Sequence, residues 1–432
     1  MEKMSTKELQ IAERARKYKR EAMTNLHQFI DEEWLKTSYE NLNRASSPGV
    51  DGKTWEDYQK VYQRRLGELL TEFKSGKYKA PNIRRAYIPK GSTGMRPLGI
   101  PTIEDKILQE GVRRALTPLY EEDFKKFSYG YRGGYSAHQA IEYMFQEVSF
   151  QGMHYIIDAD IRNYFGSIDH GILRQFLDRR VKDGVIRKQI DKWLKAGILE
   201  EEQLLHPKEG VPQGGIISPL LSNIYLHYVL DEWFSEQIQP LLTGKSFLVR
   251  YADDFVMGFT HATDAERVME VLPKRFGKYQ LELHSEKTRI INLNCKRGEG
   301  HRSFDFLGFT HYLGKSRKGK VVLKRKTSSK KLTAAISKTQ EWLRQYRSKP
   351  LKELIPELNA KLRGHYNYYG ISFNSKGVHS YSEQINRSLH KWLIRRGGKS
   401  VWNWDRFNQL IKEWEPLLQP KIYHSYRTAN PT

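Results

Sequence analysis

The chain has 432 residues and one cysteine, Cys295, which excludes an internal disulfide framework and a cysteine-rich zinc site. Lys and Arg outnumber Asp and Glu by 73 to 50, a net charge of +23 that suits a polyanionic partner, nucleic acid before membrane, or else reports only solubility. No apolar run reaches about 18 residues and the N terminus lacks an apolar signal core, so a chain of two or three domains in a reducing cytoplasm is expected, with no membrane span.

Residues 6 to 42 hold no Pro or Gly, and Leu9, Ala12 and Ala15, then Leu26, Phe29 and Ile30, are spaced for one helical face. The first part is polar and reads as a loosely held extension. A loop over 45–52 follows by composition. Lys77 to Lys90 and Gly91 to Arg96 predict two strands joined by a turn. Lys90 and Arg96 flank that Gly-containing loop, where two cations can clamp a triphosphate by charge and by the forked guanidinium. An ordinary basic surface hairpin is the other reading.

Glu104 to Leu119 reads as a helix bounded by Pro101 and Pro118. Ser128 to Tyr135 is a Gly/Tyr/Arg loop: its rings can stack on bases and Arg132 can contact phosphate, or the rings simply pack. A helix over 137–148 leads into the apolar run Met153 to Ile161, which carries Asp158 and Asp160; Asp160 lies closer to the next loop. Asp169 reads as a helix N-cap, and 183–196 as a helix stopped by Gly197. Gly214 and Gly215 let backbone approach a ligand closely. Ser218 and Pro219 read as N-cap and first-turn proline of a helix to about Phe234.

Between Ser246 and Thr260, β-formers flank Asp253 and Asp254, which predicts a hairpin with adjacent carboxylates at its tip. A solvated turn and a divalent-metal site are both open on the hairpin alone. Asp160 supplies a third acid, and two divalent ions about 4 Å apart need several such oxygens. Beyond it, 264–279 reads as a helix, Lys287 by itself as a solvated lysine, and 303–309 as a strand. From His311 to Lys349 there are thirteen Lys and Arg and one acid, Glu341, a composition for tracking phosphates. Helices are expected at 331–347, 351–369 and 380–396, with Tyr366 and Tyr369 in helix core.

Taken in order, Ile88 to Lys90, Arg96 to Thr102, Ser128 to Arg132, Asp160-Ile161 through Phe165, Pro212 to Gly215, Ser218 to Ile224, Tyr251 to Asp254, Glu286 to Thr288 and Phe306 to Phe309 resemble the motifs of group II intron reverse transcriptases/maturases. The resemblance implies an α+β right-hand polymerase (fingers, palm, thumb) with a helical C-terminal maturase region. Its divisions are an N-terminal helical extension at 1–45, fingers and palm at 46–310, thumb and RNA-binding maturase region at 311–400, and a short basic tail at 401–432.

It further implies addition of dNTPs to a DNA or RNA primer on an RNA template. Two Mg²⁺ would be held at Asp160, Ile161, Asp253 and Asp254, with Lys287 protonating the pyrophosphate. Lys90, Arg96 and Arg132 would meet the incoming nucleotide, Gln213 the template and base, and Phe165 the sugar, where its ring would exclude a ribose 2′-OH. Gly166 stands where the family often has Asp. Structured intron RNA is the further partner, bound to assist splicing and mobility. The family's Cys- and His-containing endonuclease is not expected after residue 401, so a mobile intron would need another source of primer. A splicing-only maturase, and a host-adopted enzyme of repair or phage defence, are the alternatives.

Overall fold

A computed structural model describes residues 4–90, 94–200, 203–205, 209–295, 300–397, 402–414 and 416–425. Eleven strands lie among them: β1 (Ile83–Lys90), β2 (Gly94–Ile100), β3 (Tyr155–Ala159), β4 (Ile198–Glu200), β5 (Gln203–Leu205), β6 (Ser246–Tyr251), β7 (Asp254–Phe259), β8 (Arg289–Asn292), β9 (Ser303–Phe306), β10 (Phe309–Lys315) and β11 (Val321–Thr327). They form sheets ordered β2-β1-β4-β5, β6-β7-β3-β8 and β11-β10-β9. The chain divides into two compact units. The first holds Met1–Ser136, Ile157–Met257 and His261–Arg289; the second holds Ala137–Ile156, Gly258–Thr260 and Ile290–Thr432.

In the first unit, β1 and β2 pair antiparallel from Arg84↔Ile100 to Lys90↔Gly94, as their β-rich sequences predict. The helix Ile103–Glu121 is capped by Thr102 and buried along most of its length; Pro118 falls inside its last turns instead of bounding it. Residues 6–42 do not form one helix. Thr6–Lys17 and Glu32–Glu40 are helical, with a 3-10 turn at Leu26–Phe29 between them. Long-range pairing breaks the run: Met23 bridges Val181, Met23 N donating to Arg180 O and Lys182 N to Met23 O, both at 2.8 Å. Arg20 and Asn25 turn left-handed on either side. Nor is the first helix loosely held. It buries Ile11, Ala12 and Ala15, Glu8 accepts from Arg114 at 3.0 Å, and the buried Arg180 donates to the carbonyls of Ala15, Tyr18 and Glu21.

Asp169 and Asp183 cap the helices His170–Asp178 and Gly184–Lys195 through their carboxylates, the role expected of Asp169. Ser218 is not a cap. Ile217 holds that position, Ser218 is the first helical residue, and Pro219 lies in the first turn. After Leu226 the helix widens into π turns at His227–Asp231 and Phe234–Ile238.

In the second unit, Ser303 to Phe309 is not one strand. Leu307 and Gly308, both at positive φ, turn the chain between β9 and β10. The helices Ser329–Gln345, Leu351–Tyr369 and Ser375–Gly397 enclose a core that includes Leu358, Tyr366, Ile385 and Leu389, with Tyr369 packed against it. Phe407, Leu410, Ile411 and Leu417 join that core, and Tyr423 N and His424 N donate to Gly370 O. The last segment therefore completes the unit and is not a trailing tail. The apolar residues of 402–417 have a core to enter, which the polar residues interspersed among them concealed. Of the thirteen basic residues from His311 to Lys349, ten are exposed. Arg325 is not among them: it is fully buried, and burial pulls its guanidinium down to about 9 against the opposing charge of Glu142. No helix among the described residues is long and apolar enough to cross a membrane.

Candidate active site

Three consecutive apolar residues on each strand, Phe247 to Val249 on β6 and Phe255 to Met257 on β7, are buried, which fixes the hairpin and leaves Ala252 and Asp253 to make its turn. Asp254 opens β7 and is exposed. Ala252 has a φ of 58°, a left-handed conformation that costs a non-glycine residue about 1–2 kcal/mol. Neighbouring groups hold it there.

The chief of these is Arg250, whose side chain is fully buried. Its Nε and Nη2 donate to the buried carboxylate of Asp231 at 2.8 and 2.6 Å. Its Nη1 donates to Asn223 Oδ1 and to Ala252 O, both at 2.9 Å. Asn223 in turn donates through Nδ2 to Gly130 O at 2.7 Å. The loop before Tyr131 is laced to the same strand, with Tyr129 N donating to Arg250 O and Arg250 N to Phe127 O. Gly130 lies so close that a Cβ there would stand 2.2 Å from Ala252 N. The sequence reading missed Arg250, Asp231, Asn223 and Gly130. The available signal was a charge inside each of two apolar runs, since buried charges need partners.

Asp160 directly follows β3, the sheet neighbour of β7. Its Oδ2 accepts from Lys287 Nζ at 2.5 Å, and its carbonyl accepts from His284 N at 2.8 Å. Ile161 bridges Leu283, but the bridge bonds run through Asp160 and Arg162, so they do not use the Ile161 carbonyl, its only hard donor. Asp158 lies 4.0 Å from Arg289. Two tyrosines register the acids. Burial raises the Tyr131 hydroxyl; Asp253 and Asp254 raise it further, while Arg96 opposes them. Burial also pushes Tyr164, four residues past Asp160, well above the ordinary phenol value, with Asp253 adding to the rise. Arg96, Tyr131, Asp253 and Tyr164 thus share one electrostatic neighbourhood.

Phe165 and Gln213 are tied to the same surroundings. Val211 N donates to Phe165 O, and Gly210 N to Ile168 O, each at 2.8 Å. At the other end of the loop, Gly99 N of β2 donates to Gln213 O at 2.5 Å. Gly214 needs its lack of a side chain: its φ is 110°, and a Cβ would meet Gly99 O at 2.6 Å. The Phe165 ring is half-buried, edge-on to Tyr164 at 5.6 Å. Arg96 is exposed on β2, opposite Ile88. Lys90 ends β1, and its side chain lies outside the described residues.

Arg132 departs from the expectation of a phosphate contact. It is buried; its Nε and Nη2 donate to Glu121, and its Nη1 donates to the carbonyls of Lys125 and Ser128. Its plane also lies over Tyr135. With the fork engaged on the protein, Arg132 fixes the loop that carries Tyr131.

The acids of the site offer only hard oxygen donors, the kind that divalent cations such as Mg²⁺ prefer. Among the described residues no group of three or more His, Cys, Asp or Glu is placed to hold a metal ion by itself. The ammonium of Lys287 on Asp160 shows that this acid draws a cation, which fits a divalent ion bound there.

Residues 88–311 match the family described as reverse transcriptase (RNA-dependent DNA polymerase), a span that holds every acid of the site. The chain belongs to the reverse transcriptase family. Residues 331–410 match the maturase-specific domain of group II introns, over the helices that follow β11. Protein YkfC of Escherichia coli K12 is 33% identical over 313 residues, 64% of this chain and 79% of that protein. The group II intron-encoded protein LtrA of Lactococcus lactis subsp. cremoris is 29% identical over 445 residues, 83% of this chain and 72% of that protein. A putative COX1/OXI3 intron 1 protein of Saccharomyces cerevisiae is 31% identical over 214 residues, 49% of this chain and 25% of that protein. This reverse transcriptase is therefore an RNA-directed DNA polymerase of mixed α and β structure, joined to a helical maturase domain. Reverse transcriptases work on a nucleic-acid template with divalent metal ions.

Proposed function

We propose that the enzyme is the protein of a group II intron, extending a primer 3′-OH with dNTPs on an RNA template and gripping its structured intron RNA to assist splicing and mobility. The observation that carries this reading is the turn held by Arg250, which presents Asp253 and Asp254 beside a strand that Asp160 directly follows. In this reading the fold is a right hand. The β1–β2 hairpin belongs to the fingers, the β6-β7-β3-β8 sheet to the palm, and the helices after β11 to the thumb and maturase region.

Asp160, Asp253, Asp254 and the Ile161 carbonyl are the groups that would hold two Mg²⁺, which when bound acidify the primer hydroxyl and steady the leaving pyrophosphate. Lys287, at hydrogen-bond distance from Asp160, balances its charge and carries a proton for the leaving group. Arg96 and Lys90 offer positive charge to the triphosphate. Gln213 lies in a loop anchored to β2 and meets the base; Phe165 meets the sugar and rejects a 2′-OH. The exposed cations between His311 and Lys349 track RNA phosphates, and a single cysteine suits a reducing cytoplasm.

The test is extension of a DNA primer on an RNA template with dNTPs and Mg²⁺, beside Asp253→Ala. Extension by the wild type and its loss in the variant, with RNA binding kept by both, is the expected result. A soluble wild type that binds RNA and extends nothing would leave only the splicing role.

A further inference from the structure

The second unit contains an open cavity of about 490 Å³, within the range of small-ligand sites and unconnected with the polymerase chemistry. Its walls come from the helix Ser375–Gly397, the short helix Trp404–Gln409 and the segment around Gln419. Three features set its chemistry. The first is Trp404, which lines the cavity yet is 52% exposed. One face of its indole packs against His390, the ring centroids 3.9 Å apart and the planes 36° apart, which leaves the other face to a ligand; His390 is itself bonded to Trp402 O at 2.8 Å. An aromatic plate that is both fixed and exposed is ready to receive another ring.

The second feature is a pair of primary amides, Asn386 and Asn408, which line the cavity and make no side-chain hydrogen bond to any described residue. Each offers two donors and an acceptor, the complement of a base edge. The third is charge. The helix Ser375–Gly397 carries Lys376, Arg387, Lys391, Arg395 and Arg396 against one acid, Glu383. Arg387, at the cavity, is only shared with Glu383 in an exposed pair. Below these groups Phe407 and Ile411 make an apolar floor.

We propose that this cavity takes one unpaired nucleobase of RNA, stacked on Trp404 and read by Asn386 and Asn408, with Arg387 toward its phosphate. This rests on the reading of the second unit as an RNA-gripping maturase region and names the element of RNA that it holds. A paired base cannot enter, because its faces and edges are already used within the helix. An apolar peptide would leave both amides without partners, so the lining favours a nucleotide.

The full chain should be titrated, by fluorescence anisotropy, with a hairpin RNA carrying a single-stranded loop and with the fully paired RNA of the same stem. Trp404→Ala is expected to weaken the loop RNA roughly 5- to 150-fold, the loss of one stacked base, while the paired RNA is unaffected. Trp404→Phe should restore most of the difference, which a merely structural role for the indole would not predict. Asn386→Ala and Asn408→Ala should lose the wild type's preference among loops of A, C, G or U. If Trp404→Ala and both Asn variants, folded by thermal unfolding, bind the two RNAs as the wild type does, the cavity holds no base and the proposal is overturned. If the wild type itself binds neither RNA better than duplex DNA, the maturase reading fails and the proposal with it. Primer extension by the same preparation reports on the polymerase independently.

Discussion

Gly130→Ala tests how the catalytic turn is held. The added Cβ would stand 2.2 Å from Ala252 N and 2.9 Å from both Ala252 Cα and Tyr251 C. All three are backbone atoms, so no side chain can swing aside. Non-bonded atoms settle at about 3.5–4.0 Å, and the turn must therefore retreat by at least about 1 Å. Retreat is opposed on two sides: Ala252 O is held by Arg250 Nη1, and Gly130 O by Asn223 Nδ2. Overpacking of this kind costs about 1–3 kcal/mol, which a chain of this size survives. Catalysis is less tolerant, because a displacement near 1 Å can cost about 10²-fold in rate. The expected outcome is a kcat for primer extension about 100-fold below wild type, with RNA affinity unchanged and cooperative unfolding retained. Steady-state extension against dNTP concentration, with binding and melting on the same samples, measures it. A kcat within about threefold of wild type would refute the claim that this contact sets the position of Asp253 and Asp254.

Asp231→Asn removes the countercharge of a fully buried guanidinium and should destabilise the first unit by about 3–5 kcal/mol, read from denaturant midpoints. Phe165→Ala should let the enzyme incorporate NTPs alongside dNTPs; a variant that rejects NTPs as firmly as wild type would end the steric role. Asp105 is buried and accepts from Trp193 Nε1 and Tyr78 Oη, yet burial lifts its carboxyl from 3.8 to about 7. The folded chain thus keeps a proton that the unfolded chain releases, so this contribution is full below about pH 4 and lost as the pH rises through 7. Asp105→Asn keeps the acceptor and removes the titration. Its unfolding free energy should fall less than the wild type's between pH 4 and 7, and an unchanged slope would show that Asp105 does not titrate there.

The acid pair at the hairpin tip was legible because its cause is local: two Asp between two runs of β-formers leave the backbone little choice. Asp160 was legible for the same reason, at the end of one apolar run. What holds these residues was not. Arg250 finds Asp231 nineteen positions upstream and Asn223 twenty-seven, and nothing in either local pattern names the other. Arg132 has the composition of a phosphate ligand, but Glu121 reaches it first. The helical run of residues 6–42 was broken by a bridge between Met23 and Val181, a pairing that no window of periodicity can contain. Ser303 to Phe309 looked like one strand until the left-handed Leu307 turned it.

The order in which the segments of the second unit occur along the chain bears on its birth. Leu323 N donates to Ser149 Oγ at 2.9 Å, a bond between residues 174 positions apart. During synthesis at about 5–20 residues per second, the helix Ala137–Phe150 leaves the ribosome roughly 9–35 s before β11 exists to cover it. Throughout that interval Ile141, Met144, Phe145 and Val148, all buried in the finished protein, have no native surface from the second unit's later strands and helices to lie against. The nascent chain is then most exposed to chaperones and to aggregation. Slowing translation between residues 150 and 321 should lower soluble yield more than the same delay placed after residue 330.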